Sequence, residues 1–163
     1  FSKRFTWLCH YWLGLACACS VMGAFVGLSG RFALRYFFLT GAHALWVAGF
    51  DIIYALQDIS FDRQEGLYSI PAEFGSRTGR IIAVISHLGA LLGLFLAPVF
   101  WRVSFWYPIG AALAAVLLIA EHVTALGYRG DVTESRHIHI ASYSINEIVP
   151  LVILGGTILG VYC

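Results

Sequence analysis

Charge is scarce in this chain: Lys, Arg, Asp and Glu supply 12% of its 163 residues, against 60% for the hydrophobic types. With a mean hydropathy of +0.80, that balance excludes an ordinary soluble domain and places the chain among membrane proteins. Ten basic residues, one lysine and nine arginines, are scattered, so no positive stripe exists to track nucleic-acid phosphates. Neither an internal repeat nor a low-complexity tract is present. Methionine occurs only as Met22. Phe1 opens the chain with no basic segment and cleavage site around the first apolar run, which does not read as a signal peptide. The expectation is the C-terminal part of a longer protein.

Cysteine is also sparse. Cys9, Cys17, Cys19 and Cys163 lie in or at the ends of apolar stretches, and all four read as small packing residues. Two residues apart on a helix, Cys17 and Cys19 diverge by about 160° and do not share one ion.

What is abundant is apolar sequence in blocks. Five runs predict membrane-spanning helices near 5–28, 36–57, 80–100, 103–122 and 139–162, each close to the ~20 residues a crossing needs. The predicted fold class is all-α, a polytopic membrane helical bundle with one domain over 1–163. Basic residues set its orientation. Lys3, Arg4, Arg63, Arg77, Arg80, Arg129 and Arg136 fall on one side, and Arg31, Arg35 and Arg102 on the other. The richer side is expected to face the cytoplasm of an inner or plasma membrane, with the C-terminus outside. Trp101 and Trp106 flank Arg102 as interfacial aromatics do.

Acidic residues are more lopsided still: all nine lie on or toward the predicted cytoplasmic half. The stretch DIIYALQDISFDRQEG, residues 51–66, concentrates them. On one helix at about 100° per residue, Asp58 and Asp62 fall about 20° to either side of Asp51, with Tyr54 and Glu65 within roughly 60°. Like charges one turn apart repel, and no lysine is interspersed. A carboxylate at a span's centre costs about 2.5–3.5 kcal/mol on insertion scales, so Asp51 and Glu147 are expected to face a protein interior or a wet cavity. Carboxylates at i and i+4 suit a hard cation such as Mg²⁺, which keeps waters and binds through a substrate's phosphates. At a membrane surface that combination points to a lipid diphosphate.

The same residues carry a family resemblance. Residues 49–75, GFDIIYALQDISFDRQEGLYSIPAEFG, resemble the second aspartate-rich signature of the UbiA superfamily of intramembrane prenyltransferases. The branch most similar is the one that prenylates 4-hydroxybenzoate in ubiquinone or menaquinone biosynthesis. The pattern D-x6-D-x3-D followed by G-x-x-S is met by Asp51, Asp58, Asp62, Gly66 and Ser69. The opening KRFTWLCHYWLG, residues 3–14, resembles the segment leading into that branch's fifth helix. The resemblance implies a nine-helix fold around a cytoplasm-facing cavity, of which this chain supplies the fifth to ninth helices. The family's other signature, N-x3-D-x3-D, is not in this sequence.

The resemblance further implies an enzyme with Mg²⁺ as cofactor, a polyprenyl diphosphate and an aromatic acceptor as substrates, and prenylation ortho to a hydroxyl. Asp58 and Asp62 are then the expected metal ligands, with Asp51 deeper as a third ligand or an orienting group; all three count as catalytic. Tyr54, Lys3, Arg4, Arg63, Ser69 and Asn146 are the expected substrate-binding residues. Two departures stand out: Glu73 occupies a place usually basic in this branch, and Glu147 follows Asn146 where a small residue is usual. The alternative is a cation-coupled transporter using the same carboxylates, though a transporter more often keeps its ionisable groups at the bilayer midplane. A non-catalytic membrane subunit would leave the aspartates unexplained. The piece is expected to be inactive alone.

The remaining signals are structural. Residues 69–71, Ser-Ile-Pro, read as a helix entry with Pro near its start. His10, His43, His87, His122, His137 and His139 read as hydrogen-bonded packing residues. Gly23 with Gly27, and Gly89 with Gly93, are expected at close helix contacts.

Overall fold

The computed structural model describes residues 2–127 and 135–163. After a 3-10 turn (Ser2–Arg4) come α1 (Cys9–Ser29), α2 (Tyr36–Tyr54), a second 3-10 turn (Ala55–Asp58), α3 (Ile59–Gln64) and α4 (Ile70–Phe100). The chain continues through α5 (Trp106–Leu126), α6 (Ser135–His139), a π-helical turn (Ile140–Ile145) and α7 (Asn146–Tyr162). Among the described residues there is no strand. Five stretches are long and apolar enough to cross a bilayer: Cys9–Ser29, Tyr36–Gln64, Ile70–Phe100, Trp106–Leu126 and His137–Tyr162. The protein is an all-α integral membrane bundle, as its composition requires. Strongly exposed Leu28, Val99 and Ile85 suit a hydrocarbon surround rather than water.

Three element boundaries differ from the sequence expectation. α4 begins ten residues before position 80, because Ser69 caps it: its backbone is extended and its Oγ accepts from the Ala72 N–H at 3.3 Å, with Pro71 in the first turn. Gly75 (φ 84°) then interrupts the helix in a conformation only glycine adopts freely, separating a short capped turn from the long span. α5 starts at Trp106 and runs on to Leu126, four residues past the expected end at 122, so Glu121 and His122 lie within it and not at its end. The last span is three pieces, α6, the π turn and α7, rather than one regular helix.

α2 packs between α1 and α4, and α5 packs along α7. Close approach depends on glycine: a Cβ on Gly14 would overlap the Ala44 carbonyl across α1–α2, and one on Gly110 would lie 3.0 Å from the Gly156 Cα across α5–α7. Gly89 and Gly93 meet Leu45 and Ala42 of α2 as expected, whereas Gly23 and Gly27 have nothing within 4 Å. The buried cluster of Ile52, Ile53, Leu56, Ile70, Ala83, Ala125, Ile138 and Ala141 joins α2, α4, α5 and the last span directly under the aspartates. A rigid apolar floor therefore carries the site.

Candidate active site at the aspartate-rich end

The three aspartates do not form the single file that a regular helix would give. α2 ends at Tyr54, and the 3-10 turn Ala55–Asp58 advances about 120° per residue instead of 100°, adding roughly 80° of rotation before α3. Asp58 and Asp62 are thereby rotated off the line through Asp51. Among the described residues no three His, Cys, Asp or Glu side chains converge into a metal-holding group.

Asp58 and Asp62 do converge, on one cation. Lys3 Nζ lies 3.2 Å from Asp62 Oδ2, 3.3 Å from Asp62 Oδ1 and 3.8 Å from Asp58 Oδ2. Lys3 is held in turn: its carbonyl accepts the Tyr68 N–H at 2.6 Å, tying the N-terminal turn to the segment after α3. Asp62 is fully buried while Asp58 stays partly open. Two carboxylates thus gather round one positive charge. The donor set is all oxygen and fits Mg²⁺, provided the remaining ligands come from water or phosphate oxygens. Asp51 does not belong to that pair.

Asp51 has a different partner. His10 of α1, fully buried, accepts the Ile70 N–H at its Nε2 (3.3 Å), so its hydrogen sits on Nδ1 and is donated to Asp51 Oδ2 at 2.6 Å. The carboxylate is thus gripped from behind, and its open side faces a chamber of about 330 Å³ lined by Trp46, Phe50, Asp51, Tyr54, Ser142, Tyr143, Asn146 and Glu147. Tyr54 meets Tyr143 edge to face there, with centroids 5.5 Å apart. Glu147 is exposed and lines the same chamber, as does Asp51, so both deep carboxylates face a cavity.

Asn146 lines the chamber with little freedom. The π turn before it leaves carbonyls to satisfy, and Asn146 Nδ2 donates to those of Ala141 (3.0 Å) and Ser142 (3.4 Å) and to Glu121 Oε1 (3.0 Å). Its Oδ1 accepts from Trp46 Nε1 at 2.8 Å. With its amide hydrogens directed inward, Asn146 offers a ligand only acceptor capacity. Ser69, expected to bind substrate, is fully buried and engaged as the α4 cap. Arg63 is exposed, its Nε donating to the Ala72 carbonyl at 2.8 Å, and Arg4 is exposed on the N-terminal turn.

Sequence reasoning missed Trp46 and Glu121, which grip from behind, and read His10 and His87 as hydrogen-bonded packing residues without naming Asp51 and the Trp46 carbonyl as their partners. Their signal was present in one respect. A carboxylate inside a span needs a donor from another span, and histidines within spans are a short list.

A scan against family models matches residues 1–143 to the UbiA prenyltransferase family. The 4-hydroxybenzoate octaprenyltransferase of Nitrosospira multiformis is 30% identical over 122 residues, covering 75% of this chain and 42% of that protein. The protein of the same name from Stutzerimonas stutzeri is 28% identical over 159 residues, covering 98% and 51%. The apo structure of a UbiA homolog from Aeropyrum pernix K1 superposes with a TM-score of 0.82 at 29% identity, covering 97% of this chain and 57% of that one. The chain spans about half the length of the curated relatives it matches. A sequence match over most of its length and the same helical arrangement agree, and the chain belongs to the UbiA prenyltransferase family.

Proposed function

We propose that the protein containing this chain transfers a polyprenyl group from a polyprenyl diphosphate to an aromatic acceptor in quinone biosynthesis, with the aspartate-rich end facing the cytoplasm. 4-Hydroxybenzoate is the acceptor that the names of the relatives suggest. The observation that carries the reading is the convergence of Asp58 and Asp62 on one cationic group beside a chamber lined by aromatic rings and hydrogen-bond acceptors.

In this reading Asp58 and Asp62 hold Mg²⁺, and Lys3, Arg4 and Arg63 meet the diphosphate. Bound Mg²⁺ would supply positive charge against the negative charge that builds on the departing diphosphate. The chamber takes the acceptor ring, with Phe50, Tyr54 and Tyr143 against its faces and its hydroxyl donating to Asp51, Glu147 or Asn146 Oδ1. The allylic C–O bond breaks with its electron pair leaving on the diphosphate. A ring carbon ortho to the hydroxyl then supplies the pair for the new C–C bond. The ring proton leaves to a basic oxygen, for which Asp51, held by His10, is our candidate.

The test is amide exchange on the protein expressed from its complete reading frame. Residues 51–65 are expected to gain protection only when Mg²⁺ and polyprenyl diphosphate are present together. Protection by the cation alone, unaffected by the diphosphate, would favour an ion-coupled transporter instead.

A further inference from the structure

Among the described residues Trp46 lines both the polar chamber of about 330 Å³ and, deeper in the bundle, an apolar cavity of about 320 Å³ walled by residues such as Leu39, Ala90, Leu118 and Ile153. It is held at both ends. Its indole N–H donates to Asn146 Oδ1 at 2.8 Å, and its backbone carbonyl accepts from His87 Nε2 at 3.2 Å. Both holders lead back to neighbouring residues of α5. Asn146 donates to Glu121 Oε1 at 3.0 Å. A carbonyl only accepts, so the His87 hydrogen sits on Nε2, and Nδ1 accepts from His122 Nε2 at 3.0 Å. Glu121 is fully buried, with Oε2 3.7 Å from His87 Nδ1 and without a hydrogen-bond partner. Gly49 admits the His87 ring, since a Cβ there would overlap it.

A buried carboxyl and two histidines inside membrane spans are costly to keep unless they do something. Here residues of α4, α5 and α7 converge to hold one tryptophan of α2, and that residue lies between the polar chamber and the apolar cavity. The reaction described above uses neither Glu121 nor the histidines.

We infer that Trp46 is a partition that limits the polar chamber to single-ring acceptors, and that Glu121 is the positioning residue that latches it through Asn146. Smaller side chains at 46 join the two cavities and admit a fused second ring. The inference takes from the prenyl-transfer reading only the assignment of the chamber to the aromatic acceptor.

The experiment measures equilibrium binding, with no turnover required, on the protein expressed from its complete reading frame and reconstituted in nanodiscs. Phenol and 1-naphthol are the probes. Trp46→Ala is expected to shift the binding ratio toward 1-naphthol by at least tenfold, with Trp46→Leu giving a smaller shift and serving if the alanine variant does not accumulate. Trp46→Phe, which keeps most of the bulk and loses the N–H, stays within about twofold of wild type. Glu121→Leu, which frees Asn146, shifts the ratio in the same direction, and Glu121→Gln, which still accepts from Asn146 Nδ2, does not. Equal weakening of both probes by Trp46→Ala, or a Trp46→Phe shift as large as the alanine shift, overturns the partition. Glu121→Leu and Glu121→Gln behaving alike overturns the latch. Prenyl transfer is assayed in parallel: absence of transfer in wild type removes the reaction reading, while the binding ratios still decide the partition.

Discussion

The two ends of the bundle hold their cations in opposite ways. At the aspartate-rich end Lys3 is gripped by the carboxylates of Asp58 and Asp62. At the far end Arg35 lies over the rings of Tyr36 (5.4 Å) and Trp101 (5.8 Å), with Phe25 stacked on Tyr36 at 4.7 Å and Phe38 on Phe100 at 4.5 Å. Among the described residues no carboxylate takes part there. Each end also borders a cavity, about 330 Å³ beside Asp51 and about 270 Å³ beside Trp101 and Arg102. Aromatic belts with arginine settle an interface and need no further ligand. At the other end two carboxylates share one ammonium, the arrangement on which the proposed cation site rests.

The sharpest way to break the contrast is to remove charge where it converges. In the protein expressed from its complete reading frame, Asp62→Asn is expected to lower the proposed prenyl transfer by at least about 100-fold, the scale of losing one electrostatic stabiliser of a developing charge. Asp58→Asn is expected to act in the same direction, and chelation of divalent metal should abolish transfer until Mg²⁺ is restored. Radiolabelled prenyl incorporation measures all three. Unimpaired transfer in Asp62→Asn would leave the two ends equivalent and the clasp merely structural.

Next in size is the group behind Asp51. His10→Ala frees the Asp51 carboxylate and leaves the buried Ile70 N–H unsatisfied, a cost of about 1–3 kcal/mol. We expect a lowered Tm in detergent and roughly tenfold slower transfer. His10→Gln presents both a donor and an acceptor and should recover much of each loss. A His10→Ala protein as stable and active as wild type would show that Asp51 needs no backing.

Legibility in the sequence followed chemistry rather than geometry. The five spans and the aspartates stood out because apolar length and clustered charge are properties of the chain itself. The rotation between Asp51 and Asp58 did not, since the 3-10 turn at Ala55–Asp58 and α3 pack against α4, further along the sequence, and no residue there forbids a regular helix. Position 69 shows the same limit: the Ser-Ile-Pro entry was readable, but the family pattern drew Ser69 into substrate binding when its hydroxyl caps α4. Glu121 was read at the end of the fourth span, with no partner assigned to it. Its burial depends on Asn146, 25 residues away in sequence and brought close only by the pairing of α5 with α7.

The smallest effect belongs to the end that is already self-sufficient. Arg35→Ala removes two ring contacts of a half-buried guanidinium, each worth about 0.5–2 kcal/mol. Tm should fall by a few degrees, while Kd for polyprenyl diphosphate and the transfer rate stay within about twofold of wild type. The comparison turns on that separation. Stability lost at Arg35 without loss of transfer means the arginine–aromatic end anchors the bundle while the carboxylate end does the chemistry. A large fall in transfer would instead tie the cavity beside Trp101 to the reaction, through the residues Leu39, Leu94, Ile153 and Thr157 that it shares with the cavity below Trp46.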